Sequence, residues 1–432
     1  MKPLIVISCP IDTFSGYGGR SRDIVLPIIK SGKFDVKILA QRWGNTSWGF
    51  LDNNNPDHKL LKDCILQTPQ LPKQPDCWIQ ITVPNEFQPV GKFNIGITAG
   101  IETTLCDPSW IDGLNRMNLN LVSSNFTKQT FENSKFEEKD NQSHQVVRRV
   151  ELTSPVEVLF EGVNTEIYKK LDNVEGEIND VINDLVSEEF NFLYVGHWLQ
   201  GELGQDRKDT GMLIKTFLET FKDKKQKPGL ILKTSSATYS VMDREEMLDK
   251  IRRIQESVGG DLPNVYLLHG ELEDEQINEL YNHPKVKAFT TFTKGEGYGR
   301  PLLEASLSQK PVIASNWSGH TDFLDPEMSI MLPGELTNVH PSAAVANMIT
   351  TESKWFTVDY KKASDVFEDI YKNYKKYVDG AKRQAYRSRT EFSLEKMSER
   401  LISILNEQVP KPVQLKLPQL KKIELPKLKK VD

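Results

Sequence analysis

Cysteine is scarce in this chain, and the four present, Cys9, Cys64, Cys77 and Cys106, share no C-x-x-C spacing. That pattern excludes a thiolate zinc module and makes a disulfide framework unexpected, so the thiols read as reduced and partly buried. Histidine is equally thin: residues 58, 144, 197, 269, 283, 320 and 340 are scattered with no H-x3-H pair. No D-x-D triplet is present either, and a required metal is therefore not expected. No run approaches the roughly 18 apolar residues of a membrane-spanning helix. The opening MKPLIVISCPID reads as a strand, not a signal peptide, which points to a cytoplasmic protein. The formal charge of −5 excludes a uniformly basic nucleic-acid binder.

What is present fits a globular α/β protein. With 432 residues, 38% of them apolar, the chain exceeds one ordinary core and implies two domains. The most informative stretch is KGEGYGRPLLEASLSQKPVIAS, residues 294 to 315. VKAFTTF before it reads as a buried strand, and Gly295, Gly297 and Gly299 let backbone approach a ligand. Pro301 suits a first helical turn, LLEASL continues the helix, and PVIAS returns as a strand. Such a β-turn-α-β unit aims backbone N–H groups and the positive end of a helix at a guest over the turn, commonly phosphate. Glu296 on the loop and Glu304 one helical turn inside can face one crevice and accept hydrogen bonds from a polyol. Taken singly, each glutamate reads as well as a solvated charge.

This stretch resembles the E-x7-E signature of the retaining nucleotide-sugar glycosyltransferases with two Rossmann-like lobes, the GT-B fold, a family that includes sucrose synthase and bacterial mannosyl- and glucosyltransferases. Both acids, GYGRPLL and KPVIAS match in order. FEGVNTEIYKKLD, 160 to 172, resembles the passage from first lobe to second, and LPNVYLLHGELEDEQINELY, 262 to 281, the segment that holds the nucleobase. FLYVGHWLQGELGQDRKDTGMLIKTF, 192 to 217, is similar to the first strand and helix of the nucleotide-binding lobe. There Lys208 matches the family lysine, whereas His197 stands where an arginine is expected, and Arg207 is the substitute cation. The resemblance implies lobes over 1–165 (acceptor) and 166–380 (donor), with 381–408 returning to the first lobe.

In the first lobe, SGYGGRSRD follows the opening strand. Gly16, Gly18 and Gly19 fit neither the dinucleotide fingerprint nor the P-loop, and tight turns explain most such clusters. In the resembling family this place is the loop facing the diphosphate. FNIGITAGIETTLCDPSWIDGLNRMNLNLVSSNFTKQTF, 93 to 131, lacks the acceptor-facing histidine of many members, which makes Glu102 the candidate for contacting or deprotonating the acceptor; a loop charge without a catalytic role is the equal alternative. The resemblance assigns Lys208, Arg207 and the N–H groups near Ser318, Gly319 and His320 to the leaving diphosphate. It gives Glu296 to the sugar hydroxyls and Glu304 to the ribose. Tyr298, Trp198 and Trp317 read equally as stacking or packing aromatics. No cofactor is implied, the nucleoside-diphosphate sugar being a co-substrate.

Two further segments bear on partners. Residues 409–432 hold seven lysines against two acids and read as an extended arm for an anionic membrane, a nucleic acid or a protein, or as a solvated tail. The polar stretch 135 to 155, with Arg148 and Arg149, reads as a surface excursion or an acceptor contact. Three functions follow: a retaining glycosyltransferase acting on a saccharide, lipid-linked or protein hydroxyl; a phage-type DNA glycosyltransferase acting on 5-hydroxymethylpyrimidine bases; or a catalytically silent sugar-nucleotide scaffold.

Overall fold

A computed structural model describes residues 2–71, 73–140, 142–143, 145–236 and 239–410. The lysine-rich tail from 411 onward and His144 lie outside the described residues.

The first lobe is built from β1 (Leu4–Cys9), α1 (Gly16–Lys30), β2 (Asp35–Ala40), α2 (Pro56–Cys64), β3 (Cys77–Ile81), β4 (Phe93–Thr98), α3 (Pro108–Asn115), β5 (Leu119–Val122) and α4 (Asn125–Asn133). A hairpin, β6 (Phe136–Lys139) and β7 (Val146–Val150), precedes β8 (Val156–Val158). Six strands pair in parallel in the order β2-β1-β3-β4-β5-β8. LIVISC of β1 is buried at every position, as expected of a strand covered on both faces.

The second lobe runs α5 (Glu177–Leu185), β9 (Asn191–Val195), α6 (Thr210–Phe221), β10 (Gly229–Lys233), α7 (Val241–Val258), β11 (Val265–Leu268), α8 (Asp274–Asn282), β12 (Val286–Thr290), α9 (Arg300–Ser306), β13 (Val312–Ser315) and β14 (Ile330–Leu332). Its parallel sheet has the order β11-β10-β9-β12-β13-β14. A small hairpin, β15 (Gly334–Asn338) with β16 (Lys354–Val358), leads into α10 (Tyr360–Asn373), α11 (Lys375–Glu391) and α12 (Leu394–Gln408).

The chain crosses between lobes twice, at one place. Val163 N–H donates to Phe392 O at 2.9 Å and Leu394 N–H to Val163 O at 2.8 Å. The two passages are so close that a Cβ on Gly162 would lie 2.5 Å from Leu394 Cα. After this crossing α12, capped by Ser393, buries Met397, Leu401, Ile404 and Leu405 in the first lobe's core beside α1. The return is thus made by α12; α11 runs through residue 381 without a break and packs on α9 of the second lobe.

Within the stretch at 135 to 155, β6 and β7 pair as a hairpin on the outside of the first lobe. Arg148 pairs with Asp112 and Glu138, and Arg149 with Glu137, so both arginines are engaged by acids of their own surface. All four cysteines are free thiols, and burial pushes Cys9 up to about 12.

Candidate functional site

In an open parallel sheet, ligands settle beyond the carboxyl ends of the strands where the winding direction reverses. In the second sheet β10 and β11 lie on one side of β9, while β12, β13 and β14 lie on the other. The reversal therefore falls between β9 and β12. The loops leaving these strands, 196–209 and 291–299, carry His197, Arg207, Lys208, Glu296 and Tyr298.

Glu296 is the centre of the cluster and is 7% exposed. Its carboxylate pairs with Lys208 Nζ and, at 3.4 Å, with Arg207. Burial alone would raise its pKa, but the two cations outweigh it and hold the carboxyl at about 2. Arg207 also donates to Gly295 O at 2.8 Å and stands 3.8 Å from Glu102 of the first lobe. Glu102, Arg207, Glu296 and Lys208 thus form one chain of alternating charge across the lobe boundary.

Beneath it lies a buried support. Lys294, 1% exposed, bonds Asp209 at 3.1 Å and Thr357 Oγ1 at 2.9 Å, and Tyr360 donates to Asp209 at 2.7 Å. Asp209 is left-handed at φ 52° and precedes α6, which fixes Arg207 and Lys208 immediately before it. Sequence reading passed over this support. A buried lysine four residues beyond the end of β12 gave no signal separable from a loop charge.

The glycines do something different from the expectation. A Cβ on Gly295 would lie 1.9 Å from Glu102 O, on Gly297 2.4 Å from Ala99 O, and on Gly319 2.1 Å from Gly297 O. These three are required where loop backbones meet, two of them across the lobes, rather than only where a ligand approaches. Ser124 Oγ seals the contact by donating to Gly297 O at 2.6 Å. Gly299 is left-handed at φ 101° and starts α9. Gly16, Gly18 and Gly19 are not a turn: α1 begins at Gly16, capped by Ser15. Gly18 is needed because a Cβ would sit 2.3 Å from Thr13 O, Gly19 lies beside the Arg300 guanidinium, and Gly16 has open space around it.

Ser318 is the strained residue of the site, at φ 77° and ψ −165°, a region almost confined to glycine. Its Oγ accepts from Glu296 N–H at 2.9 Å, and Gly319 N–H donates to Glu296 O at 2.9 Å. His320 is fully buried, its Nε2 2.6 Å from Ser315 O, and its Nδ1 has no hydrogen-bond partner among the described residues. Since a carbonyl only accepts, Nε2 carries the proton and Nδ1 is an acceptor; the imidazole is neutral because burial lowers its pKa. It therefore braces the loop under Glu296 and brings no positive charge.

His197 follows the end of β9, with Nδ1 3.3 Å from Ser235 Oγ. Loss of solvent, then Lys208, Lys233 and Arg207, push its pKa down, so it too is neutral. Tyr298 turns inward: it is 3% exposed, against Phe323 at 5.0 Å, so only its backbone belongs to the loop surface. Trp317 packs edge-on against Phe126 of the first lobe at 4.7 Å, and Trp198 is buried.

Glu304 lies in α9, 9% exposed, and accepts from Arg300 Nε at 3.4 Å. Burial raises its pKa to about 7 despite that arginine, with Asp274 adding to the rise. Glu296 and Glu304 are thus two acids of one motif with opposite shifts, set by how many cations each faces. Arg300 went unnoticed in the sequence, although its i,i+4 spacing to Glu304 is a readable pairing signal.

Among the described residues, no group of three or more His, Cys, Asp or Glu could hold a metal ion, and no helix is long and apolar enough to cross a membrane.

No protein-family model matches the chain, and no curated protein does. Solved structures do. Sucrose-phosphate synthase from Thermosynechococcus elongatus superposes with a TM-score of 0.61 at 13% identity, covering 94% of this chain and 99% of that one. A glycosyltransferase from Rickettsia africae gives 0.60 at 12%, over 94% and 98%. Anabaena HepE in complex with UDP and glucose gives 0.58 at 13%, over 94% and 100%. The fold is that of GT-B. Two six-stranded parallel sheets form two lobes, and the last helix returns to the first lobe. Identities this low speak for the architecture; what the site does rests on its own residues.

Proposed function

We propose that this protein is a retaining glycosyltransferase that moves a sugar from a nucleoside-diphosphate sugar to a hydroxyl of a saccharide, lipid-linked glycan or protein. One observation carries the reading: at the topological switch of the second sheet, and against the first lobe, a carboxylate held ionised by Lys208 and Arg207 stands beside a glycine loop that opens the helix bearing a second buried carboxylate. HepE, which shares the fold, is described in complex with UDP-glucose, and that ligand class suits these residues.

In this reading Lys208 and Arg207 take the negative charge of the departing diphosphate. Glu296 holds sugar hydroxyls and Glu304 the ribose diol. The two loops orient the anomeric carbon toward the first lobe, where Glu102 meets the acceptor. The bond from C1 to the phosphate oxygen breaks as the acceptor oxygen attacks from the same face. The leaving phosphate accepts the acceptor's proton, so neither a covalent carboxylate nor a metal is called for. Lobe closure excludes water and protects the donor from hydrolysis.

The test is a thermal-shift and hydrolysis screen against a panel of nucleoside-diphosphate sugars, with Glu304→Ala and Lys208→Ala alongside. Stabilisation by one donor, lost in both variants, supports the reading, and an inverted anomeric linkage by NMR would overturn retention. Donor binding without turnover on any acceptor would favour the silent scaffold, a reading motivated by neutral His197. The DNA-modifying alternative loses ground because Arg148 and Arg149 are occupied by acidic neighbours; salt-sensitive duplex binding would revive it.

A further inference from the structure

We propose that Arg300 is a positioning residue shared between the donor subsite and the first lobe, so that engagement of Glu304 by a ligand is coupled to the contact between the lobes through Asp23. The inference rests on the assignment of Glu304 to a sugar nucleotide, and it concerns residues that assignment does not involve.

One guanidinium serves two carboxylates from different lobes. Its terminal NH1 lies 2.8 Å from Asp23 of α1, while Nε lies 3.4 Å from Glu304 of its own helix. The first bond is the shorter, so Arg300 is committed to the first lobe and only loosely to Glu304. Gly19 keeps the path open: a Cβ there would stand 3.4 Å from NH1. The surroundings are charged and largely enclosed, the Arg300 and Asp23 side chains being 28% and 17% exposed. Buried Arg20 of α1 donates to Phe160 O at 3.0 Å, where the chain leaves the first lobe, and buried Glu161 beside it interacts with Arg20 and Arg300. Charges in such a place respond strongly to one another, because little water screens them.

The groups facing Glu304 come from four elements: Arg300 on α9, Asp274 and Tyr281 on α8, Asp23 on α1, and Tyr168 in the connecting passage, which donates to Asp274 at 2.9 Å. Two of these are anions that disfavour a third. Glu304 is therefore ionised only near neutrality, its pKa having risen to about 7. A ribose diol is best held by the ionised form, which accepts from both hydroxyls. Donor affinity then rises as pH climbs through this value. Withdrawing the Asp23 charge removes one repelling anion and frees Arg300 to turn wholly to Glu304, which lowers the pH at which the site becomes competent. A residue that merely held the fold would change affinity alike at every pH.

The experiment titrates the full chain with the UDP, GDP, ADP and dTDP forms of glucose, whose doubly esterified diphosphates do not titrate between pH 5 and 9. It compares wild type, Asp23→Asn, Arg300→Lys and the double variant by calorimetry across that range. The expected result is an acidic limb in the wild type that moves down by about half a pH unit or more in Asp23→Asn. In the Arg300→Lys background, where a point charge replaces the fork, Asp23→Asn moves the limb less than it does in the wild type, by the direct repulsion alone. A limb at the same pH in wild type and Asp23→Asn overturns the coupling while leaving the sugar-nucleotide reading intact. If no donor binds the wild type at any pH, the sugar-nucleotide reading itself fails and takes the coupling with it. Should Asp23→Asn not fold, the loss or persistence of the limb in Arg300→Lys decides: an unchanged limb there overturns the proposal.

Discussion

Replacing Lys208 by methionine isolates the electrostatics of the site. In the wild type Glu296 sits at about 2, against 4.5 for an ordinary glutamate. At 1.36 kcal/mol per unit, the ionised form is favoured in the folded protein by roughly 3 kcal/mol. Because the folded pKa is depressed, this stabilisation is present above pH 4.5 and is lost as the pH falls toward 2. Lys208 makes the closer contact and Arg207 remains at 3.4 Å, so the variant keeps part of the pairing. Breaking a buried pair costs about 3–5 kcal/mol, and the surviving arginine places this case lower, at ~2 kcal/mol. For a lobe of this size that corresponds to a fall in Tm of roughly 4–8 °C. Thermal unfolding at pH 7 and pH 4 gives the comparison: Lys208→Met loses stability at pH 7 and shows a shallower decline on acidification. Adding Glu296→Gln to Lys208→Met removes the stranded carboxylate and restores most of the lost Tm, while the sugar transfer proposed above is lost in both. A Lys208→Met protein with wild-type Tm at pH 7 and an unchanged acid profile would refute the argument, since the pair would then contribute nothing to the fold.

Gly319→Ala places a methyl 2.1 Å from Gly297 O, backbone that cannot yield without parting the Glu296 loop from the 318–320 turn; a Tm drop of several degrees and loss of donor-induced stabilisation are expected by differential scanning fluorimetry. Ser318→Ala keeps the strained φ of 77° and removes the acceptor of the buried Glu296 N–H; a cost of about 1–3 kcal/mol follows in chemical denaturation, whereas Ser318→Gly, which relieves the strain, is the milder change. His197→Arg adds a fourth cation to Lys208, Lys233 and Arg207; the protein alone should melt lower, and the shift produced by a nucleoside diphosphate should grow, an unchanged shift showing that this corner does not meet phosphate.

Reading the sequence located the two sheets because buried parallel strands announce themselves as short apolar runs, and it located the second lobe's site because a strand, a glycine loop and a helix with two acids lie within twenty residues. The same local logic misread the first lobe's glycines. SGYGG looks like a turn, yet Ser15 caps a helix there, and the demand for Gly18 comes from Thr13 O folding back on it. What no local reading supplies is the other lobe. Gly295 and Gly297 are glycine because the backbone of 99–102 presses on them, and Arg300 matters because α1 brings Asp23 to it from 277 residues away in sequence.

Those long-range contacts also set the protonation states that chemistry would use. Two glutamates eight positions apart, alike in sequence, diverge because one collects Lys208 and Arg207 while the other shares a single arginine with Asp23 and faces Asp274. The motif supplies two identical acids; two cations from the β9 loop of the same lobe make one a permanent anion, while burial beside Asp274 and Asp23 makes the other a group that titrates near neutrality. A donor bridging both would find them matched to different tasks, so the pH response of binding should follow Glu304 alone. Glu296→Gln should weaken donor binding by a similar factor from pH 5 to 9, and Glu304→Gln should remove the acidic limb; a limb that disappears instead with Glu296 would reverse the assignment of the two acids.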